Sequence, residues 1–230
     1  MTFRVSIISP LKAASDDLAR RQQRYGTHAG PETVVEVLNL RGGPTALDTS
    51  GDILSSAAAI SEPGRMLSPE KTDSILIDCV FDPAVTELQE ATGIPTFGPT
   101  HTTLPLVTLA APTFAIIARS QRQCELLMEQ VAAEGYLDCL VSVRPLDISY
   151  EEAKQPGVFN RVMAERLRAA VDEDGARAIM FGSTTMALTS DLRQAARGVP
   201  LFMPGMVALR VMEQLWQDDL WPARKRGEHD

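Results

Sequence analysis

Ile75-Leu-Ile-Asp-Cys79-Val-Phe-Asp-Pro83, followed by a helix-like stretch and Gly93-Ile-Pro95, is matched by Ile179-Met-Phe-Gly-Ser183-Thr-Thr-Met-Ala187, a similar stretch and Gly198-Val-Pro200. The offset is 104 residues up to Leu88/Leu192 and 105 by Ile94/Val199, so one residue has been inserted between the copies. Each copy opens with a short apolar run ended by a turn, the signature of a strand buried on both faces of a parallel sheet. The alignment sets Cys79 against Ser183. Two halves that present a small nucleophilic side chain at the same strand end imply one cleft with a reactive group on each wall.

Outward from these strands the pattern continues in both directions. Phe3–Ser9 matches Phe114–Ser120 at an offset of 111, giving each half a first strand. In the first half, a polar, Arg-rich helix follows around Ser15–Tyr25, then an alternating strand over Thr33–Leu40, a Gly/Pro-rich loop and a helix around Ile53–Ile60. Asp82-Pro83 supplies an N-cap with proline at the first helical position, so a helix is expected from there through Ala91. Ile94–Gly98 follows as a strand. The second half repeats the order: strand Thr113–Ala118, helix Gln121–Glu134, strand Leu140–Ile148, helix Phe159–Glu173, strand Ala178–Phe181, helix Ser190–Ala196, strand Pro200–Met203 and a last amphipathic helix Val207–Trp216.

Alternation of strands and helices implies parallel sheets covered by helices. The expected fold is therefore α/β, with two similar lobes from an internal duplication and the site in the cleft between them. The first lobe is expected to comprise residues 1–98 plus a returning helix at 206–222, the second 99–205, with a flexible tail at 223–230. Ligands of such sheets bind beyond the carboxyl ends of the strands. Ser9, Cys79, Ser120 and Ser183 all fall there.

A chain of 230 residues can bury a sizeable core. A net charge of −8 argues against a nucleic-acid or polyanion-binding face. No run of eighteen apolar residues is present, so no membrane span is expected, and the apolar start at Met1–Pro10 reads as a first strand rather than a signal peptide. Cys79, Cys124 and Cys139 form no disulfide framework, which fits free thiols and a cytoplasmic location. His28, His101 and His229 are scattered and no metal-binding spacing occurs, so no metal is expected.

Cys124 and Cys139 read as buried apolar-site cysteines. Cys79 reads as functional: it ends an apolar strand just before a helix start, where backbone N–H groups and the helix dipole are expected to lower its pKa. Ser183, after a glycine at a strand end, reads by itself as part of a capping or phosphate-friendly loop. It is not in a G-x-S-x-G elbow, and its equivalence to Cys79 is what raises it. Arg119, in Arg119-Ser120-Gln121-Arg122, is either a fork for a carboxylate or a solvated surface residue. His101 is either an acid/base group reaching the cleft or a helix-start histidine.

Cys79-x-x-Asp82-Pro83 together with Gly182-x-Thr184-Thr185-Met186-Ala187, on a duplicated α/β chain, resembles the aspartate/glutamate racemase superfamily, with the hydantoin racemases as the most similar branch. The resemblance runs from about Phe3 to Leu215. It implies two lobes around a small carbon acid, such as a carboxylate or cyclic amide, with one cysteine from each lobe on opposite faces of the stereocentre, no cofactor, and frequent assembly into homo-oligomers. Inverting a carbon beside a carbonyl needs a proton removed from one face and returned to the other, which two groups can do and one fixed base cannot. By the same resemblance Val80, Thr184 and Thr185 would hold the enolate-like charge. Ser9 and Ser120, by their place at strand ends, and Arg119, as a carboxylate fork, are further candidates for substrate contact.

Three departures stand out. The second cysteine is Ser183, and a hydroxyl is a far poorer base than a thiol. The Asn-Pro-Asn-Thr loop of the superfamily is Ser9-Pro10-Leu11-Lys12, and the threonine-bearing loop of the second half is Arg119–Arg122. A racemase or epimerase using Cys79 and Ser183 is the leading expectation. The alternatives are a single-thiol decarboxylase or isomerase of a malonate- or maleate-like acid, and a non-catalytic small-molecule-binding protein.

Overall fold

A computed structural model describes residues 2–220, so the tail expected at 223–230 lies outside the described residues. The first half contributes β1 (Phe3–Ile8), α1 (Ser15–His28), β2 (Thr33–Leu38), α2 (Ser50–Arg65), β3 (Ser74–Ile77), α3 (Val85–Thr92), β4 (Thr96–Phe97) and α4 (Pro99–Ala110). The second contributes β5 (Phe114–Ala118), α5 (Gln121–Ala133), a 3₁₀ turn at Leu137–Cys139, β6 (Leu140–Pro145), α6 (Tyr150–Lys154), α7 (Val158–Asp172), β7 (Ala178–Phe181), α8 (Ser190–Ala195), β8 (Leu201–Phe202) and α9 (Pro204–Gln217).

Two four-stranded parallel sheets result, ordered β2-β1-β3-β4 and β6-β5-β7-β8. These are one topology used twice, and the repeat is visible in the registers. Ile75 and Leu76 pair with Thr96 and Phe97, as Ile179 and Met180 pair with Leu201 and Phe202. β3 and β7 are buried at every position, as strands covered on both faces must be.

α4 occupies a stretch for which the sequence suggests only a helix start near His101. Pro99 stands at its start, where a missing N–H costs nothing, but Pro105 lies inside it. The helices that close the two halves cross over: α4 packs against β7, α9 packs against β3, and the two helices pack on each other. On α9, Met206, Leu209 and Met212 join Phe3, Val5 and Tyr25 in the core of the first sheet. A second core runs through both halves, joining Ile75 and Ile77 to Leu104, Val107, Phe114 and Ile116. Full burial of each such side chain stabilises by about 1.5–3 kcal/mol, so the relative placement of the two sheets is fixed by apolar packing. Among the described residues no helix is long and apolar enough to cross a membrane.

One expected helix start is corrected. α3 begins at Val85, not at Asp82-Pro83. Asp82 and Ala84 have φ of 48° and 61°, so the chain makes a tight turn before the helix can begin. The Asp82 carboxylate serves a different helix: it accepts the backbone N–H groups of Thr100 (3.1 Å) and His101 (2.7 Å) in the first turn of α4. Gly98 makes this approach possible, because a Cβ there would lie 2.4 Å from the Asp82 carboxyl carbon.

Candidate active site

β3 and β7 each end in a sharp turn, and the two turns meet at a cavity of about 650 Å³ between the sheets. Asp78, Cys79, Val80 and Phe81 line it from the first half, and Gly182, Ser183, Thr184, Thr185 and Met186 from the second. Its size suits a small-molecule substrate. The equivalence read from the sequence is thus a spatial juxtaposition: Cys79 and Ser183 face the same space. Gly182 is tightly held, since a Cβ there would come within 3.0 Å of the Ile117 carbonyl oxygen.

The electrostatics of Cys79 correct the expected low pKa. The residue is only 4% exposed. Burial pushes its thiol well above the ordinary value, and this outweighs the Phe81 N–H that points at the sulfur from 3.4 Å. The neighbouring anions Asp82 and Asp78 push it further up, and Arg21 opposes them. The helix-dipole expectation fails because α3 begins six residues beyond the cysteine, whereas the dipole effect fades within the first turn. Burial thus favours the protonated thiol over the thiolate.

Ser183 is half-buried. Its hydroxyl pairs with Thr185 Oγ1 at 2.9 Å and accepts the Thr185 N–H at 3.3 Å. Thr184 is buried and donates its hydroxyl to the Asp78 carbonyl (3.2 Å), tying the second turn to the first. Among the described residues, the backbone N–H groups of Val80 and Thr184, which are equivalent positions in the repeat, make no hydrogen bond.

Other expected site residues divide. Arg119 is exposed, lines the cleft and has no ion-pair partner among the described residues. Ser9 is fully buried and does not line the cleft; its hydroxyl donates to the Leu11 carbonyl (2.9 Å) and shapes the loop. Ser120 likewise stays out of the lining, its hydroxyl buried without a partner among the described residues at the start of α5. His101 lies elsewhere, its exposed ring paired with Glu134 at 2.8 Å beside a separate pocket bounded by Phe97 and Leu215. Among the described residues no group of three or more His, Cys, Asp or Glu side chains is placed to hold a metal ion.

Three participants were not singled out by the sequence: Asp78, Arg21 and Tyr25. Arg21 forms a buried ion pair with Asp78, and Tyr25 donates its hydroxyl to the same carboxylate at 2.6 Å. Asp17, Arg21 and Tyr25 recur every four residues on one face of α1, the signal that could have found them. Arg24, on the same helix, donates to the Thr184 carbonyl (2.8 Å), so α1 touches both turns. Leu146, Ile148 and Phe159 add apolar side chains to the lining of the cleft.

A family model described as Asp/Glu/Hydantoin racemase matches residues 5–212. A hydantoin racemase of Paenarthrobacter aurescens is 25% identical over 219 residues, covering 93% of this chain and 91% of that protein. Among solved structures, an allantoin racemase from Klebsiella pneumoniae superposes with a TM-score of 0.86 at 21% identity, over 98% of this chain and 92% of its own. A double mutant of arylmalonate decarboxylase, glycine to cysteine and cysteine to serine, superposes with a TM-score of 0.66 at 16% identity, over 93% and 92%. The structural likenesses establish a shared fold.

Proposed function

We propose that this chain, which belongs to the Asp/Glu/hydantoin racemase family, racemises or epimerises a small carbon acid of the hydantoin-like, cyclic amide type, using its own side chains as acid and base. The observation that carries this reading is the convergence of Cys79 and Ser183, from equivalent strand ends, on one cleft. The hydantoin and allantoin racemases to which the chain is similar support the substrate type.

In the forward step the Cys79 thiol first releases its proton to solvent in the cleft; the thiolate then takes the proton from the carbon beside the carbonyl, and the C–H electron pair passes onto the carbonyl oxygen as an enolate. The free N–H groups of Val80 and Thr184 are available to hold that charge. A proton then returns to the carbon from the opposite face, donated by the Ser183 hydroxyl, whose oxygen is reprotonated by solvent through the bonded Thr185 hydroxyl. One C–H bond breaks and one forms. Arg119 at the rim offers a fork for a carboxylate or carbonyl borne by the substrate.

A second reading is favoured by one observation: among the described residues Ser183 is bonded only to Thr185, with no histidine or lysine to raise its basicity. An enzyme of this form would protonate an enolate from the Cys79 face alone, as after decarboxylation of a malonate. A solvent-deuterium NMR screen of substituted hydantoins, amino acids and malonates, run on wild type and Cys79→Ala, separates the two. Racemisation labels the α-carbon and yields both enantiomers. Decarboxylation releases CO₂ and labels one face. A wild-type protein that does neither overturns both.

A further inference from the structure

The carboxylate next in sequence to Cys79 is an unusual neighbour for a group that must become an anion. Asp78 is completely buried, and among the described residues its charge is met by the Arg21 guanidinium of α1 alone. Tyr25, fully buried and with its ionisation pushed far up by burial and by Asp78, remains a hydroxyl donor and supplies no charge. Arg21 is buried too, and is steadied by a second bond to the half-buried Asp17 at 2.9 Å. The other charges around the thiol are Asp82 in its own turn, with Lys12, Asp16, Arg20, Asp48 and Arg119 along the cleft. The facing β7 turn offers only hydroxyls.

We propose that Arg21 is a positioning residue for the Cys79 reaction: by compensating Asp78 it allows the adjacent sulfur to carry a negative charge inside a buried turn. Arg21 acts through Asp78 and the turn rather than by turning over substrate itself. Its guanidinium is occupied by two carboxylates, and its charge stays on because those carboxylates outweigh the cost of burial. The equivalent position in the second half, Gly182, has no side chain, so the device exists on the Cys79 side alone.

The inference rests on Cys79 as the acid/base group, and its test uses no substrate. The rate of Cys79 alkylation by iodoacetamide, followed by mass spectrometry of the Cys79 peptide so that Cys124 and Cys139 do not interfere, reads the thiolate fraction at fixed pH. Arg21→Gln leaves Asp78 uncompensated and slows alkylation by about tenfold or more, the equivalent of about one pH unit. Arg21→Lys keeps the charge and stays within about threefold of wild type. Asp78→Asn removes the anion while leaving Arg21 and speeds alkylation by about tenfold. That variant keeps the proposal refutable if Arg21→Gln does not fold. Rates unchanged in both Arg21→Gln and Asp78→Asn, or moved in the same direction, overturn it. Opposite shifts without turnover of any hydantoin would sink the proposed reaction and leave the role of Arg21 standing.

Discussion

The turn after β3 and the turn after β7 share a backbone plan and differ in almost every side chain. Asp78-Cys79-Val80-Phe81 stands against Gly182-Ser183-Thr184-Thr185. The first turn buries a carboxylate, its counter-ion and a thiol; the second holds three hydroxyls and no charge. Gly182 has no room for a side chain, because the Ile117 carbonyl and Leu127 occupy the space a Cβ would need. Asp78 finds space and partners because α1 delivers Arg21 and Tyr25 to it. Duplication has therefore kept the geometry of two opposed strand ends and let their chemistry diverge. The lesson is that two walls can be equivalent in register and unequal in proton affinity.

The largest expected effect tests whether the charged wall carries the reaction. Cys79→Ala should lower α-proton exchange by about 10³-fold, the usual scale of one acid/base group, measured by NMR in D₂O. Retention of more than a tenth of wild-type exchange would move the chemistry elsewhere. Next comes the attempt to equalise the walls. Ser183→Cys should raise the rate of inversion by about tenfold or more, since it supplies a second thiol at the opposite face; polarimetry on a single enantiomer decides it, and a loss of activity would show that the hydroxyl is already the better group.

Smaller effects concern the frame of each turn. Gly98→Ala drives a methyl into Asp82, which caps α4 and shapes the Cys79 turn; a loss of about 1–3 kcal/mol is expected by chemical denaturation. Asp82 itself gives a pH signature. Burial raises its carboxyl to about 7, so between about pH 4 and 7 the folded state holds a proton that the unfolded chain has released. Stability should fall as pH rises through that window. Asp82→Asn should flatten the fall, and an unchanged profile in that variant would assign it to another group.

The duplicated α/β plan was legible in the sequence because buried parallel strands are short apolar runs, and two sets of them at a near-constant offset leave little freedom. β3 and β7 fall where expected, and the family resemblance carried by Cys79, Asp82, Thr184 and Thr185 agrees with the family match. Helix α4 was legible only at its start, since Pro105 and a run of threonines hide its helical period. The acidity of Cys79 is not legible in the sequence, because the thiol is buried in a core drawn from both halves of the chain, which no local pattern reports. Arg21 and Tyr25 escaped notice because the partner they share, Asp78, lies 57 and 53 residues further on. An arginine-rich helix reads as solvated until such a partner is in view.

The opposition of two unequal walls is tested most directly by following deuterium wash-in and optical rotation together, in D₂O, from one enantiomer of a turned-over hydantoin with wild type and Ser183→Ala. If Cys79 and Ser183 serve opposite faces, wild type incorporates deuterium as it inverts, whereas Ser183→Ala still incorporates deuterium from the Cys79 face but inverts at least about tenfold more slowly. Inversion at the wild-type rate in Ser183→Ala would contradict a second wall built on Ser183.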